Sequence, residues 1–258
     1  MNKTPSPRPR GRALTRPAAD WLAGLVIPLA VVAVVFVLDL RADMKGASDV
    51  LRSGLLSFTA GMLQLVVILA VAPWWSAGLV EKHAFGTLIA ALRVTAMVVG
   101  ATILLLLLAF VQDRDGFADL LKVQLVVLGV GLFVVGLSGG LRVLLRNTRA
   151  AAMLTSLPAF LVFATPFWGN VLIRLCGEVG RGWAWQFVVK VTPILACADA
   201  VPQDLFRHGE RLLYESSLII DAAAVFPAWW AYALITGLIG VALVWGVTFS
   251  RRHVIIRS

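Results

Sequence analysis

Six stretches of this chain are apolar for about as long as a helix needs to cross a bilayer core, roughly 20 residues. They run from Trp21 to Leu40, Leu55 to Trp75, Val94 to Val111, Leu120 to about Leu141, about Ala150 to Leu175, and Ala222 to Phe249. A bilayer interior offers no partner to a backbone N–H or C=O, so a spanning segment is either a helix or a strand of a closed barrel. Period-two alternation is absent, which excludes the barrel. Composition agrees: 60% of residues are hydrophobic and 14% charged, against about 25% charged in a soluble domain. The expected fold class is all-α, a polytopic integral membrane protein with six transmembrane helices over residues 21–249. A disordered basic segment, 1–20, precedes them and a short tail, 250–258, follows. The first apolar run is long enough to be a span and is not read as a cleavable leader.

Charge sets the expected orientation. With the N-terminus inside, the inner segments hold 13 basic residues (Lys3, Arg8, Arg10, Arg12, Arg16, Lys82, Arg93, Arg142, Arg146, Arg149, Arg251, Arg252 and Arg257) and two acidic ones, Asp20 and Glu81. Lys and Arg collect on the cytoplasmic side of membrane proteins, so both termini are expected in the cytoplasm. The net charge of +9 is then a topology signal, and nucleic acid is not an expected partner. Eighteen Arg against five Lys suggest a bacterial chain, and hence the bacterial cytoplasmic (inner) membrane.

Between the fifth and sixth runs lies an outer segment, 176–221. Its stretch Trp183 to Val201 holds Lys190 and Pro193, and crossing would carry Arg251, Arg252 and Arg257 outside. It is therefore read as re-entrant or interfacial, with Trp183 and Trp185 suited to the membrane boundary. Cys176 and Cys197, the only cysteines, fall in this segment; they form a disulfide or stay as two unpaired apolar residues.

Few polar groups lie at membrane depth. Gln64, Gln124 and Asn170 are the amides, read as packing hydrogen bonds between helices. Gly136 and Gly140, and likewise Ala233 and Gly237, form small-xxx-small pairs that permit close helix approach. Pro28, Pro158, Pro166 and Pro227 are expected to kink their helices. No P-loop occurs, since no lysine follows a glycine, and neither HExxH, C-x-x-C nor G-x-S-x-G is present. The three histidines are far apart. Neither a metal, a cofactor nor an enzymatic activity is expected of this chain.

The stretch APWWSAGLVEKHAFGTLIAALRV, Ala72 to Val94, joins two apolar runs. Wrapped as a helix over 77–93, it puts Val80, Ala84, Phe85, Leu88, Ile89, Ala91 and Leu92 on one face. Lys82, His83, Gly86, Thr87 and Arg93 fall on the other, with Leu79 and Ala90 among them. Such a helix can lie along a membrane surface. Glu81 projects into the apolar face, where a carboxylate needs a cation; Arg142, Arg146, Arg149 or an N-terminal arginine could supply one.

This segment resembles a pattern in permeases of the ABC type 2 exporter family. There the second span often ends at a proline, and a short cytoplasmic helix follows with an acidic residue, Gly-Thr and leucines. Pro73, Glu81, Gly86-Thr87, Leu88 and Leu92 occupy those places. The Ser138 to Leu157 stretch, SGGLRVLLRNTRAAAMLTSL, is similar to the family's serine, Arg-rich turn and small residues between the fourth and fifth spans. Six spans and an outer re-entrant segment match its architecture. The departures are a single acidic residue before Gly-Thr and a diluted leucine run. The resemblance implies that 77–93 is a coupling helix seated in a separate ABC ATPase subunit, with Lys82, His83, Gly86 and Thr87 at the interface. Glu81 would anchor it to the bundle. It also implies a second permease copy or a related permease as dimer partner. Two rivals are a haem-export-type permease of cytochrome c maturation and a non-transporting membrane scaffold. A secondary transporter would want inverted repeats and intramembrane charges, and neither is found.

Overall fold

The computed structural model describes residues 49–111, 117–165, 168, 171, 175–201 and 227–256. The N-terminal segment, the first apolar run, Asn170, Pro166 and residues 202–226 lie outside the described residues. Those described are helical, without strands. In order they form α1 (Asp49–Lys82), α2 (Gly86–Val111), α3 (Phe117–Leu145), α4 (Thr148–Phe163), α5 (Gly177–Val191), α6 (Pro193–Asp199) and α7 (Trp229–Ile256). Four of these, α1, α2, α3 and α7, are long and apolar enough to cross a membrane. Within the fifth run, α4 is 16 residues long, about 24 Å of helix, and several residues beyond Thr165 lie outside the described ones. Pro227 precedes α7 and does not kink it. Pro73 and Pro158 sit inside α1 and α4.

The helix α3 is the centre of the bundle. It touches α1, α2, α4, α6 and α7, and Val123, Val126, Val127, Val134 and Val135 on it are fully buried. Lipid is as apolar as these side chains, so close van der Waals packing has to hold helices together. Glycine supplies that closeness. A Cβ added at Gly240 of α7 would lie 2.5 Å from the backbone N of Phe133, and one at Gly136 would lie 2.9 Å from the carbonyl oxygen of Gly240. At Gly129 it would meet the carbonyl oxygen of Ala233 at 2.8 Å. Gly140, by contrast, has only Val247 near it, at 3.8 Å. The packing pair is thus Gly136 with Gly129, seven residues apart, and not Gly136 with Gly140.

Contacts fix the directions. Gly61 meets Val123 and Ser76 meets Val135, so α1 and α3 run parallel. Thr87 meets Gly139 while Val94 meets Gly131, so α2 is antiparallel to both. Gly129 faces Ala233 and Gly140 faces Val247, so α7 runs with α3. The α1–α2 turn, the α3–α4 turn and the C-terminal end of α7 therefore share one end of the bundle.

Threonines inside the spans spend their hydroxyl hydrogens locally. Thr95, Thr102 and Thr248 each donate to the carbonyl four residues earlier, at 2.7–2.9 Å. That local bond lets a polar residue face lipid or an apolar neighbour. Gln64 and Gln124 differ: both are buried and neither amide has a partner among the described residues.

Gly240→Ala should destabilise the bundle by about 1–3 kcal/mol, the cost of overpacking against backbone that cannot yield. Gly140→Ala should leave stability unchanged or slightly raised, because alanine favours helix by up to about 1 kcal/mol over glycine. Unfolding of the two variants in detergent measures the contrast; equal effects would show that the α3–α7 contact does not set stability.

Candidate functional site

The shared end of the bundle is built around two tight turns. The first reverses the chain between α1 and α2. His83 N donates to Leu79 O at 2.9 Å, and Gly86 N donates to His83 O at 3.0 Å. A Cβ at Gly86 would stand 2.2 Å from the carbonyl carbon and oxygen of Leu79. Only glycine allows α2 to start this close to the backbone of the helix that has just ended. Residues 77–93 are thus not one surface helix. They are the end of α1, a turn at 83–85 and the start of α2.

This corrects the faces expected of the segment. Lys82 and His83 are exposed, but Gly86 and Thr87 are buried. Thr87 packs on Gly139, where a Cβ would come 2.8 Å from its Oγ1. Glu81 is not on an apolar face: its side chain is 54% exposed. It sits in the last turn of α1, where the helix dipole disfavours a negative charge, and compensation comes from the second turn.

That second turn joins α3 to α4. Arg146 N donates to Arg142 O at 3.0 Å, and Arg146 adopts φ 54. This is the left-handed closure that usually takes glycine or asparagine. Asn147 then caps α4, its side chain accepting from the amides of Arg149 and Ala150 at 3.0 and 3.2 Å. The cap positions Thr148, whose Oγ1 donates to Glu81 Oε2 and accepts from Arg142 Nε at 2.9 Å. Arg142 Nη2 lies 3.8 Å from the same Glu81 oxygen. Of the three arginines considered, Arg142 reaches Glu81. Arg146 and Arg149 are exposed and make no ion pair among the described residues.

Below this cluster the turns are fastened to the bundle by reciprocal buried bonds. Ser76 Oγ of α1 donates to Val135 O at 2.7 Å, and Ser138 Oγ of α3 donates to Pro73 O at 2.8 Å. The ends of α1, α2 and α3 are therefore one block, with Glu81, Thr148 and Arg142 linking α4 to it.

Thr148 and Asn147 were not singled out from the sequence. Asn-Thr ahead of Arg-Ala-Ala is a helix-start signal and could have found the cap. Nothing local points Thr148 toward Glu81, 67 positions away. Away from this end, Asp199 Oδ2 accepts from Trp229 N at 3.0 Å, placing a carboxylate at the N-terminus of α7 where the dipole favours it. The stretch 183–201 is broken at Thr192-Pro193 into the end of α5 and all of α6. Trp183 is exposed while α6 is buried from Pro193 to Ala198. Cys176 and Cys197 are both free thiols. No group of three His, Cys, Asp or Glu that could hold a metal occurs among the described residues.

Comparison with family models, with curated proteins and with solved structures found no match. What fold and site define is a class: a helical membrane protein with a charged, tightly braced end.

Two outcomes follow from this geometry. Thr148→Val should cost about 0.5–1.5 kcal/mol, the net worth of a hydrogen bond, and a cycle with Glu81→Gln should be non-additive, as expected of groups in one network. Additive losses would mean that the three side chains do not act together. Maleimide should label Cys176 in the folded protein and leave Cys197 unmodified until it is unfolded, because Cys197 is fully buried; equal labelling would contradict the packing of α6.

Proposed function

We propose that this chain is the membrane-spanning permease subunit of an ATP-driven exporter of the ABC type 2 family. It would work in the bacterial inner membrane with both termini in the cytoplasm. ATP hydrolysis would take place on a separate ATPase subunit, and a second copy or a related permease would complete the pathway. The observation that carries this reading is the braced end of the bundle. Lys82 and His83 are exposed at the α1–α2 turn, as Arg146 and Arg149 are at the α3–α4 turn, while the residues behind them are locked to three spans.

A soft loop would absorb a push from a partner. A turn held by Gly86, Thr87–Gly139 and the Ser76 and Ser138 bonds would pass that push to α1, α2 and α3 together, as rigid-body transmission requires. The coupling element is then a helical hairpin tip, and not the amphipathic helix expected from the sequence. Lys82 and His83 would meet the ATPase. Gly86 and Thr87 would act by shaping the tip, and Glu81 by linking it through Thr148 and Arg142 to α4. The re-entrant reading of 183–201 is supported by its break at Pro193 and the burial of α6.

Co-purification from membranes of the native host tests the proposal. A P-loop ATPase should accompany the wild-type chain. Lys82→Glu combined with His83→Glu should reduce its recovery about tenfold or more, equivalent to about 1.4 kcal/mol. Glu81→Ala should keep the ATPase bound while changing its hydrolysis rate in lipid. If no ATPase accompanies the wild type, or if the double variant keeps it fully, the exporter reading fails and a membrane scaffold becomes the better account.

A further inference from the structure

A cavity of about 450 Å³ lies between α3, α4 and α7, with Lys190, Val191 and Pro193 of the α5–α6 break on its lining. Its volume is within the range of small-molecule sites, roughly 300–1,000 Å³. The walls are apolar, with Phe133, Leu137, Pro158, Val162, Ile235 and Ile239 among them. The few hydroxyls on its lining have already spent their hydrogens. Thr155 donates to Ala151 O and Thr236 to Tyr232 O, while Tyr232 donates to Val191 O at 2.9 Å. No carboxylate lines the cavity. Lys190 is exposed and makes no ion pair or hydrogen bond among the described residues, so its ammonium is the one uncommitted donor on the lining.

This pairing selects its occupant. A ligand rich in polar groups would leave them unpaired against the walls, at a cost of roughly 1–3 kcal/mol each. A neutral hydrocarbon would leave the ammonium unused. A long apolar chain carrying one anionic group satisfies both, and the chain's own surroundings supply such a molecule. An ammonium on a flexible four-carbon stem can reach along the cavity lining toward a headgroup. We infer that this cavity is a binding site for an anionic phospholipid, which enters from the bilayer, lays an acyl chain against α3, α4 and α7, and sets its phosphate on Lys190. The inference requires the chain to sit in a membrane but does not depend on the exporter reading.

Native mass spectrometry of the full chain tests it. The protein is purified in detergent with equal amounts of phosphatidylglycerol and phosphatidylcholine bearing identical acyl chains. The wild type should retain the anionic lipid about fivefold over the zwitterionic one, as expected for one lysine contact. Lys190→Gln should bring the ratio to about one without changing the unfolding temperature. Ile239→Trp, which fills the cavity, should lose both lipids; if that variant does not fold, Ala159→Leu serves the same purpose. An unchanged ratio in Lys190→Gln overturns the proposal, as does full lipid retention by the filled cavity. Absence of any preference in the wild type also overturns it.

Discussion

The architecture depends on how closely other backbones can approach α3. In lipid no water is released when two apolar helices meet, so their association rests on contact distance. Glycines at 129, 136 and 240 bring α3 and α7 to a separation at which any side chain would strike backbone. Gly131 and Gly139 instead make room for the side chains of Val94 and Thr87 of α2, and Gly61 of α1 for that of Val123. With α3 gripped on several sides, the register of its neighbours is fixed, and the turns at the shared end are brought together as a consequence.

Polar groups act on this scaffold in two ways. Ser76 and Ser138 cross-link α1 to α3 through each other's backbone carbonyls, close to Pro73, whose missing N–H leaves α1 one internal bond short. The span threonines bond within their own helices and make no such link. The crossed serine bonds lie next to the braced end. Gln64 and Gln124 stand apart as buried amides without partners among the described residues.

The two ends of α1–α3 thus have different character. At one, Glu81, Thr148 and Arg142 tie turns that would otherwise be free, and Lys82 and His83 are presented on a rigid mount. Elsewhere, the break at Thr192-Pro193 puts a lysine on the lining of an apolar cavity and Asp199 at the start of α7. The helix α3 belongs both to the braced end and to the wall of that cavity.

The sequence by itself determined the class of fold. Four of its apolar runs form helices of spanning length, because burial in lipid leaves the backbone no alternative. The basic positions Lys82, Arg142, Arg146 and Arg149, grouped on one side by their charge, do fall at one end of the bundle, and Arg142 was among the cations considered for Glu81. The sequence did not determine where helices stop. Residues 77–93 have an amphipathic period, yet the chain reverses at 83–85, because Gly86 can lie against Leu79 and because Thr87 finds Gly139. That choice is made by packing against α3, 52 positions on, and no local periodicity records it. The same holds for Gly240, which no small-residue spacing marked, and for Thr148, which reaches Glu81 only once two turns are side by side. Tertiary contact decided these positions because each depends on the distance between backbones, which is a property of the assembled bundle and of no single segment.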